Sequence, residues 1–266
     1  MAGRASQFVI VGNGAAGVAA AEAIRELDRR ATLVIVSDES HDHYSRPGLA
    51  YLLTRALPEA LLYARTEEEL HRLRAERIHE RAVRIRPRAH TLELESGRAL
   101  SYDALLLATG AGAVLPNLPG IDLRGVVTLD TLDDARRVLS QARRARRAVV
   151  VGGGITAIEL AEGFSALGLQ VDYLLRKDRY WSSVLDPVES QIIERGLRTR
   201  GVAIRPRTEL SHVLGKKGKV VGVRTARGEE IRCELVGVAV GVRPRTRLAK
   251  EASLDVDRGV LVNEFM

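Results

Sequence analysis

Two glycine clusters are the residues here whose type and spacing could do chemistry. The first, Gly12, Gly14 and Gly17 in VIVGNGAAG, follows an apolar run and leads into an alanine-rich stretch that begins at Ala15 and Ala16. G-x-G-x-x-G at a strand exit exposes backbone N–H groups at a helix N-terminus, where the pyrophosphate of a dinucleotide can be held. Gly12 would make the tight turn, Gly14 would let phosphate approach, and Gly17 would let the helix pack on the strand. About 20 residues later stand Asp38 and Glu39, the carboxylates a ribose hydroxyl requires. The second cluster, VVVGGGITAIE, keeps Gly152 and Gly154, continues through Ile155, and has Ala157 at the third glycine position, which the fingerprint tolerates. Farther on the chain reads LLRKDR. Leu175 stands where an acid would accept from a ribose 2′-OH, and Arg176, Lys177 and Arg179 offer cations that suit a 2′-phosphate. A surface loop with incidental charge is the competing reading.

The elements that must position these turns form an internal repeat. FVIVGNGAAGVAAAEAIREL at Phe8 resembles AVVVGGGITAIELAEGFSAL at Ala148, and each segment leads to a second apolar run, ATLVIVSDE or LQVDYLLRKD. The pattern is strand, helix, strand, twice. TLELESGRALSYDALLLATG and VVGVRTARGEEIRCELVGVAVG then both alternate, turn at glycine, alternate again and end in an apolar run, which predicts a hairpin feeding a core strand in each half. Pro116, Pro119 and Gly120 mark a linker. After Val240 and Gly241 the chain is expected to return to the first half, with GVLVNEFM as a further strand.

Composition excludes several other chemistries. At 266 residues, 45% hydrophobic and 28% charged, the chain is long enough for one large domain or two ordinary ones. Its apolar runs fall far short of the roughly 20 residues a membrane span needs. MAGRASQ runs straight into the first strand without a leader pattern, so a cytoplasmic location is the expectation. The single cysteine, Cys233, excludes an internal disulfide and a dithiol site. The net charge of +7 comes mostly from scattered arginines. Only Arg143, Arg144, Arg146 and Arg147 form a tight run, which reads as a solvated helix end, so no specific nucleic-acid partner is expected. His41, Asp42 and His43 lack a second ligand cluster, and no metal is expected there. Whether Tyr180 and Trp181 stack on a nucleotide or are simply buried stays open.

The chain resembles the FAD-dependent pyridine nucleotide-disulfide oxidoreductase family, in particular its ferredoxin, rubredoxin and nitrite reductase-like branch. VIVGNGAAG, VSDESHDHYSRPGLAYLL, LLLATG and VVVGGGITAIELAE carry the resemblance over nearly the whole sequence. It implies an α/β fold of two Rossmann-like three-layer nucleotide-binding domains, the second inserted into the first. Residues 1–116 plus 237–266 would bind FAD, and residues 117–236 would bind NAD(P)H. It also implies that Asp38 and Glu39 bind the adenosine ribose, that Arg46 and Pro47 line the flavin site, that Val83 meets adenine through its backbone, and that Thr109 and Gly110 turn beside the pyrophosphate. Gly241 joins the cofactor-binding set, and Glu159 falls near the nicotinamide. The sequence departs from the pattern at Tyr51, where relatives often place Lys, and at Val114 after the A-T-G turn, where they often place Arg. Family members that use thiol chemistry carry cysteine where this chain reads YSRPGLAYLL.

The implied activity is hydride transfer from NADPH, less readily NADH, to FAD, and then electron transfer to an outside acceptor such as a small iron–sulfur or rubredoxin-like protein. No acid, base or nucleophile is required, so no catalytic residue is named. Family members continue past a V-N-E-F segment to a second FAD-contacting motif, and this sequence stops at Met266, so the flavin site is expected to be incomplete. A non-catalytic NAD(P)H-binding or regulatory module that needs a partner subunit is the alternative, and homo-oligomerisation stays open.

Overall fold

The computed structural model describes residues 5–266, so Met1–Arg4 of the MAGRASQ lead-in lie outside the described residues. Along the chain come β1 (Gln7–Val11), α1 (Ala15–Leu27), β2 (Thr32–Ser37), α2 (Gly48–Leu53), α3 (Glu67–Arg72), β3 (Ala75–His79), β4 (Ala82–Arg86), β5 (Thr91–Leu94), β6 (Ala99–Ser101), β7 (Ala104–Leu107) and β8 (Ala111–Ala113). There follow β9 (Val126–Val127), α4 (Leu132–Ala142), β10 (Arg147–Gly152), α5 (Ile155–Ala166), β11 (Gln170–Leu174), α6 (Pro187–Thr199) and β12 (Val202–Arg205). The last elements are β13 (Leu210–Lys216), β14 (Lys219–Thr225), β15 (Glu230–Arg232), β16 (Leu235–Ala239), β17 (Val242–Pro244) and α7 (Arg247–Glu251). They gather into two compact units, one of Met1–Ser45, Tyr63–Gly112 and Arg243–Met266, the other of Arg46–Leu62 and Ala113–Val242. Among the described residues, no helix is long and apolar enough to cross a membrane.

In the first unit a parallel sheet runs in the order β3-β2-β1-β7. Parallel strands covered on both faces read as unbroken apolar runs, and FVIV and LVIV are such runs. Alternation divides their side chains between two layers. Ile10, Leu33 and Ile35 pack with Ala21 of α1 and with Leu70 and Leu73. On the other face, Val9, Val11, Val34 and Val36 pack with Leu92, Leu94 and Leu100 of the antiparallel layer β4-β5-β6. The edge strand β3, AERIH, is one the internal repeat does not announce, because its alternation is weak and only Ile78 is buried.

The second unit repeats the plan, with a parallel sheet β12-β11-β10-β16-β9 and an antiparallel layer β13-β14-β15. Val149, Val151, Leu174, Val236 and Val238 meet Leu210, Val213, Val223, Ile231 and Cys233. Helix α5 covers the opposite face, so close that a β-carbon at Gly237 would stand 3.0 Å from the Phe164 ring. Both expected hairpins form, β5-β6 feeding β7 and β14-β15 feeding β16. The expected strand in GVLVNEFM does not form. That segment shows only the isolated bridge Val256–Val260, and Leu261, Val262 and Phe265 are more than half exposed. Alternating apolar residues make a strand only where a ladder and a buried face coincide.

Within the second unit α2 rests against α5, where Gly163 would place a β-carbon 2.8 Å from Leu53 Cβ. Gly163→Val is expected to lower stability by about 1–3 kcal/mol through overpacking, measurable as a fall in the midpoint of denaturant unfolding.

Candidate functional site

Each unit carries one glycine turn, and the two are built alike. Gly12 adopts φ +120°, and a β-carbon there would fall 2.1 Å from the Ala108 carbonyl oxygen of the neighbouring segment. Gly12 N donates to Val36 O at 2.8 Å. A β-carbon on Gly17 would stand 2.0 Å from the Gly12 carbonyl oxygen, so helix and strand approach too closely for any side chain. Gly14 precedes α1 as its cap, and nothing lies within 4 Å of the β-carbon it lacks. Gly152 repeats Gly12 with φ +147° and a clash at 2.1 Å with Ala239 O, and the space at Gly154 is likewise open. Ala157 is fully buried, its methyl 3.1 Å from where a Gly152 β-carbon would be.

The helix ends differ from those of α3, α4 and α6 in a way that suits an anion. Thr66, Thr131 and Asp186 close capping boxes on α3, α4 and α6, each with acids in the first turn. By contrast α1 and α5 begin at Gly14 and Gly154, with neither a side-chain cap nor an acid in the first turn. Their first N–H groups thus keep the positive helix end unquenched. Ala15 and Ala16 are exposed at the opening of α1, and Ile155 is 52% exposed at the opening of α5.

Around the first turn, Asp38 and Glu39 follow the end of β2 directly. Asp38 is exposed and lies 3.6 Å from Arg81. Glu39 accepts from the Tyr44 hydroxyl at 2.6 Å. Val83 sits where the β4–β5 register shifts between Ala82 and Arg84. Asp42 pairs with Arg77, and His43 Nδ1 lies 3.2 Å from Asn13 O. The Thr109–Gly110 turn is strapped by a residue the motifs did not single out. Thr109 Oγ1 donates to Arg245 O at 2.8 Å, Arg245 N donates to Gly110 O at 2.9 Å, and the Arg245 guanidinium donates to Thr109 O at 3.2 Å. No local signal links positions so far apart in sequence. Arg46 and Pro47 belong to the second unit, where Arg46 donates to Asp130 O and Pro47 caps α2, with Tyr51 60% exposed on that helix.

Around the second turn, Leu175 is buried immediately past β11. Arg176 and Lys177 are exposed, and neither side chain has an ion-pair or hydrogen-bond partner among the described residues. Arg179 instead lies 3.4 Å from Asp178 and 3.5 Å from Ser182 O. Arg207 joins this edge, because its N donates to Lys177 O at 2.8 Å and Thr208 N donates to Leu175 O at 2.9 Å. Sequence reasoning missed it, since only strand adjacency brings the turn after β12 beside the turn after β11. Gly241 has φ +139°, and its carbonyl accepts from Val114 N.

Tyr180 is buried, its ring 6.1 Å from that of Trp181. Burial, with Glu159 and Glu162 nearby, pushes the Tyr180 hydroxyl up to about 12. Burial and the Glu162 carboxylate also push Glu159 above the usual carboxylate range. Cys233 is fully buried in the core of the second unit, and burial with Glu234 and Asp172 pushes its thiol up to about 12. A thiol so placed is inert as a nucleophile.

The model of the pyridine nucleotide-disulphide oxidoreductase family matches residues 6–266. The chain is 28% identical over 268 residues to nitrite reductase [NAD(P)H] of Bacillus subtilis, covering 98% of this chain and 32% of that protein. It is 29% identical over 269 residues to rubredoxin-NAD(+) reductase of Pseudomonas putida, covering 97% and 68%. The crystal structure of the covalent putidaredoxin reductase–putidaredoxin complex superposes with a TM-score of 0.91 at 29% identity, covering 98% of this chain and 64% of that one. The chain thus spans between about a third and two thirds of these relatives.

The raised Glu159 carboxyl has a stability consequence. Below its ordinary value of 4.5 the group is protonated whether the chain is folded or unfolded. As pH rises, the unfolded chain ionises first, which penalises folding, and the penalty is complete above the folded value. Glu159→Gln is therefore expected to raise the melting temperature at neutral pH, with the gap closing as pH falls toward 4.5.

Proposed function

This chain belongs to the pyridine nucleotide-disulphide oxidoreductase family, and from that membership we propose that it forms the nucleotide-binding part of an FAD-dependent NAD(P)H oxidoreductase that draws on NADPH. The observation that carries the reading is a duplicated, uncapped glycine turn with unlike surroundings. Acids follow the first, and unpaired cations follow the second. FAD supplies, when bound, a hydride acceptor that releases electrons onward. The residues of the first unit fit it. The open space at Gly14 and the bare N-terminus of α1 suit its pyrophosphate.

In this proposal residues 1–116 with 237–266 hold FAD, and residues 117–236 hold the nicotinamide nucleotide. Gly12, Gly14, Ala15, Ala16 and Gly17 would cradle the flavin nucleotide's phosphates, Asp38 and Glu39 its ribose, and Val83 its adenine. Thr109, Gly110 and Gly241 would complete that shell, and Arg46 and Pro47 would border the ring. Gly152, Gly154, Ile155 and Ala157 would take the second pyrophosphate, with Glu159 beside the nicotinamide. Leu175 cannot accept from a 2′-OH, whereas Arg176, Lys177 and Arg179 would meet a 2′-phosphate through charge-assisted bonds. The relatives include a rubredoxin reductase and a reductase joined to putidaredoxin. A small iron–sulfur or rubredoxin-like protein is the matching acceptor, and the net charge of +7 would steer an acidic one. With Cys233 buried, no thiol enters the route.

Purified protein supplied with FAD is expected to turn yellow, and to bleach on anaerobic addition of NADPH faster than with NADH. Protein that stays colourless after reconstitution would overturn the flavoenzyme reading in favour of a non-catalytic module, and faster bleaching by NADH would overturn the nucleotide choice. Replacing Arg176 and Lys177 together by Ala should raise the KM for NADPH roughly tenfold to a hundredfold, the loss of one or more hydrogen bonds to a charged group, with little change for NADH.

A further inference from the structure

Helix α6 buries two polar residues beside Leu197 and leaves two apolar ones in solvent. Val188 and Ile192 are 65% and 63% exposed, while Ser190 is fully buried and Glu194 only 8% exposed. A carboxylate is rarely held so deep unless it is paired and bonded, and this one is. Its Oε1 accepts from Tyr180 N at 2.9 Å, and its Oε2 accepts from Arg198 at 2.9 Å. Ser190 Oγ lies 2.8 Å from the carbonyl oxygen of the same residue, Tyr180, and 2.8 Å from Asp186 O, so its one proton is shared between the two carbonyls. Both main-chain groups of Tyr180 are thus fixed by one turn of α6.

Tyr180 closes the loop that carries the unpaired cations. At the other end, Arg207 N and Thr208 N donate to the carbonyls of Lys177 and Leu175. The chain from Leu175 to Tyr180 is therefore anchored at Leu175, at Lys177 and at Tyr180, with Arg176 between the first two anchors and Asp178 and Arg179 between the last two. Immediately after the clamp, Trp181 adopts φ +44°. A bulky residue there is strained by about 1–3 kcal/mol and persists only where its surroundings dictate it.

We propose that Glu194, assisted by Ser190, is a positioning residue for nucleotide selection. By holding the Tyr180 backbone it keeps Arg176 and Lys177 aimed at a 2′-phosphate without touching the ligand itself. The proposal rests on the NADPH reading above. Two like charges on adjacent residues repel, and a slack loop would spread them; a clamped one pre-pays that ordering before the ligand arrives.

The test uses 2′,5′-ADP and 5′-AMP, which differ by the phosphate in question, titrated calorimetrically into the full chain. Glu194→Leu removes the acceptor, whereas Glu194→Gln keeps an oxygen for Tyr180 N. Glu194→Leu is expected to weaken 2′,5′-ADP roughly tenfold and leave 5′-AMP unchanged, with Glu194→Gln restoring most of the loss. Equal weakening of both ligands, or of neither, would mark a purely structural carboxylate and overturn the proposal. Should Glu194→Leu fail to fold by circular dichroism, Ser190→Ala carries the same comparison, with the same selective loss expected. Failure of the NADPH reading shows separately, as parent protein that binds the two ligands alike, and it removes the proposal with it.

Discussion

A carbonyl oxygen 2.1 Å from where a β-carbon would stand is the constraint on which both halves of this molecule depend. At Gly12 and at Gly152 the central strand leaves its sheet pressed against the next parallel strand, and only a residue without a side chain can turn there with positive φ. That turn sends the chain directly into a helix. Gly17 in the first unit then lets the helix lie against the turn, and Ala157 does so in the second with one methyl group more. The helix then begins at Gly14 or Gly154, which bring no capping side chain and leave open space, so its free N–H groups and its dipole are available to a ligand.

Helices α3, α4 and α6 start differently. Where a helix only needs to begin, Thr66, Thr131 and Asp186 supply full capping boxes. Helices α1 and α5, the two that follow glycine turns, begin instead at a glycine with no capping side chain, and they are longer than the other uncapped helices, the five- and six-residue α7 and α2. The neighbouring strand ends differ in charge. Carboxylates beyond β2 are acceptors for hydroxyl groups, and exposed guanidinium and ammonium groups beyond β11 are donors for phosphate. One backbone plan thus carries acids at one rim and cations at the other.

The second rim also shows how a loop is fixed by residues outside it. Lys177 is held through the backbone of Arg207, and Tyr180 through Glu194 and Ser190. A polar face of α6 is buried to do this, and two branched apolar residues are left in solvent. Leu197 is buried on the same side, so the inward face of that helix combines apolar packing with polar contacts to the loop.

Repetition, glycine spacing and apolar runs are local properties, and the sequence alone was enough to read from them two strand–helix–strand units, their hairpins and their glycine turns. The placement of Asp38, Glu39, Arg176 and Lys177 just past strand ends was legible for the same reason. Partnerships between distant segments were not legible. Arg245 straps Thr109 and Gly110, Arg207 borders Lys177, and the polar face of α6 grips Tyr180, all through hydrogen bonds whose partners only strand order and helix docking bring together. The failed strand in GVLVNEFM has the same origin. Its alternation is a local signal, but a strand needs a ladder partner and a buried face, and tertiary structure alone supplies these.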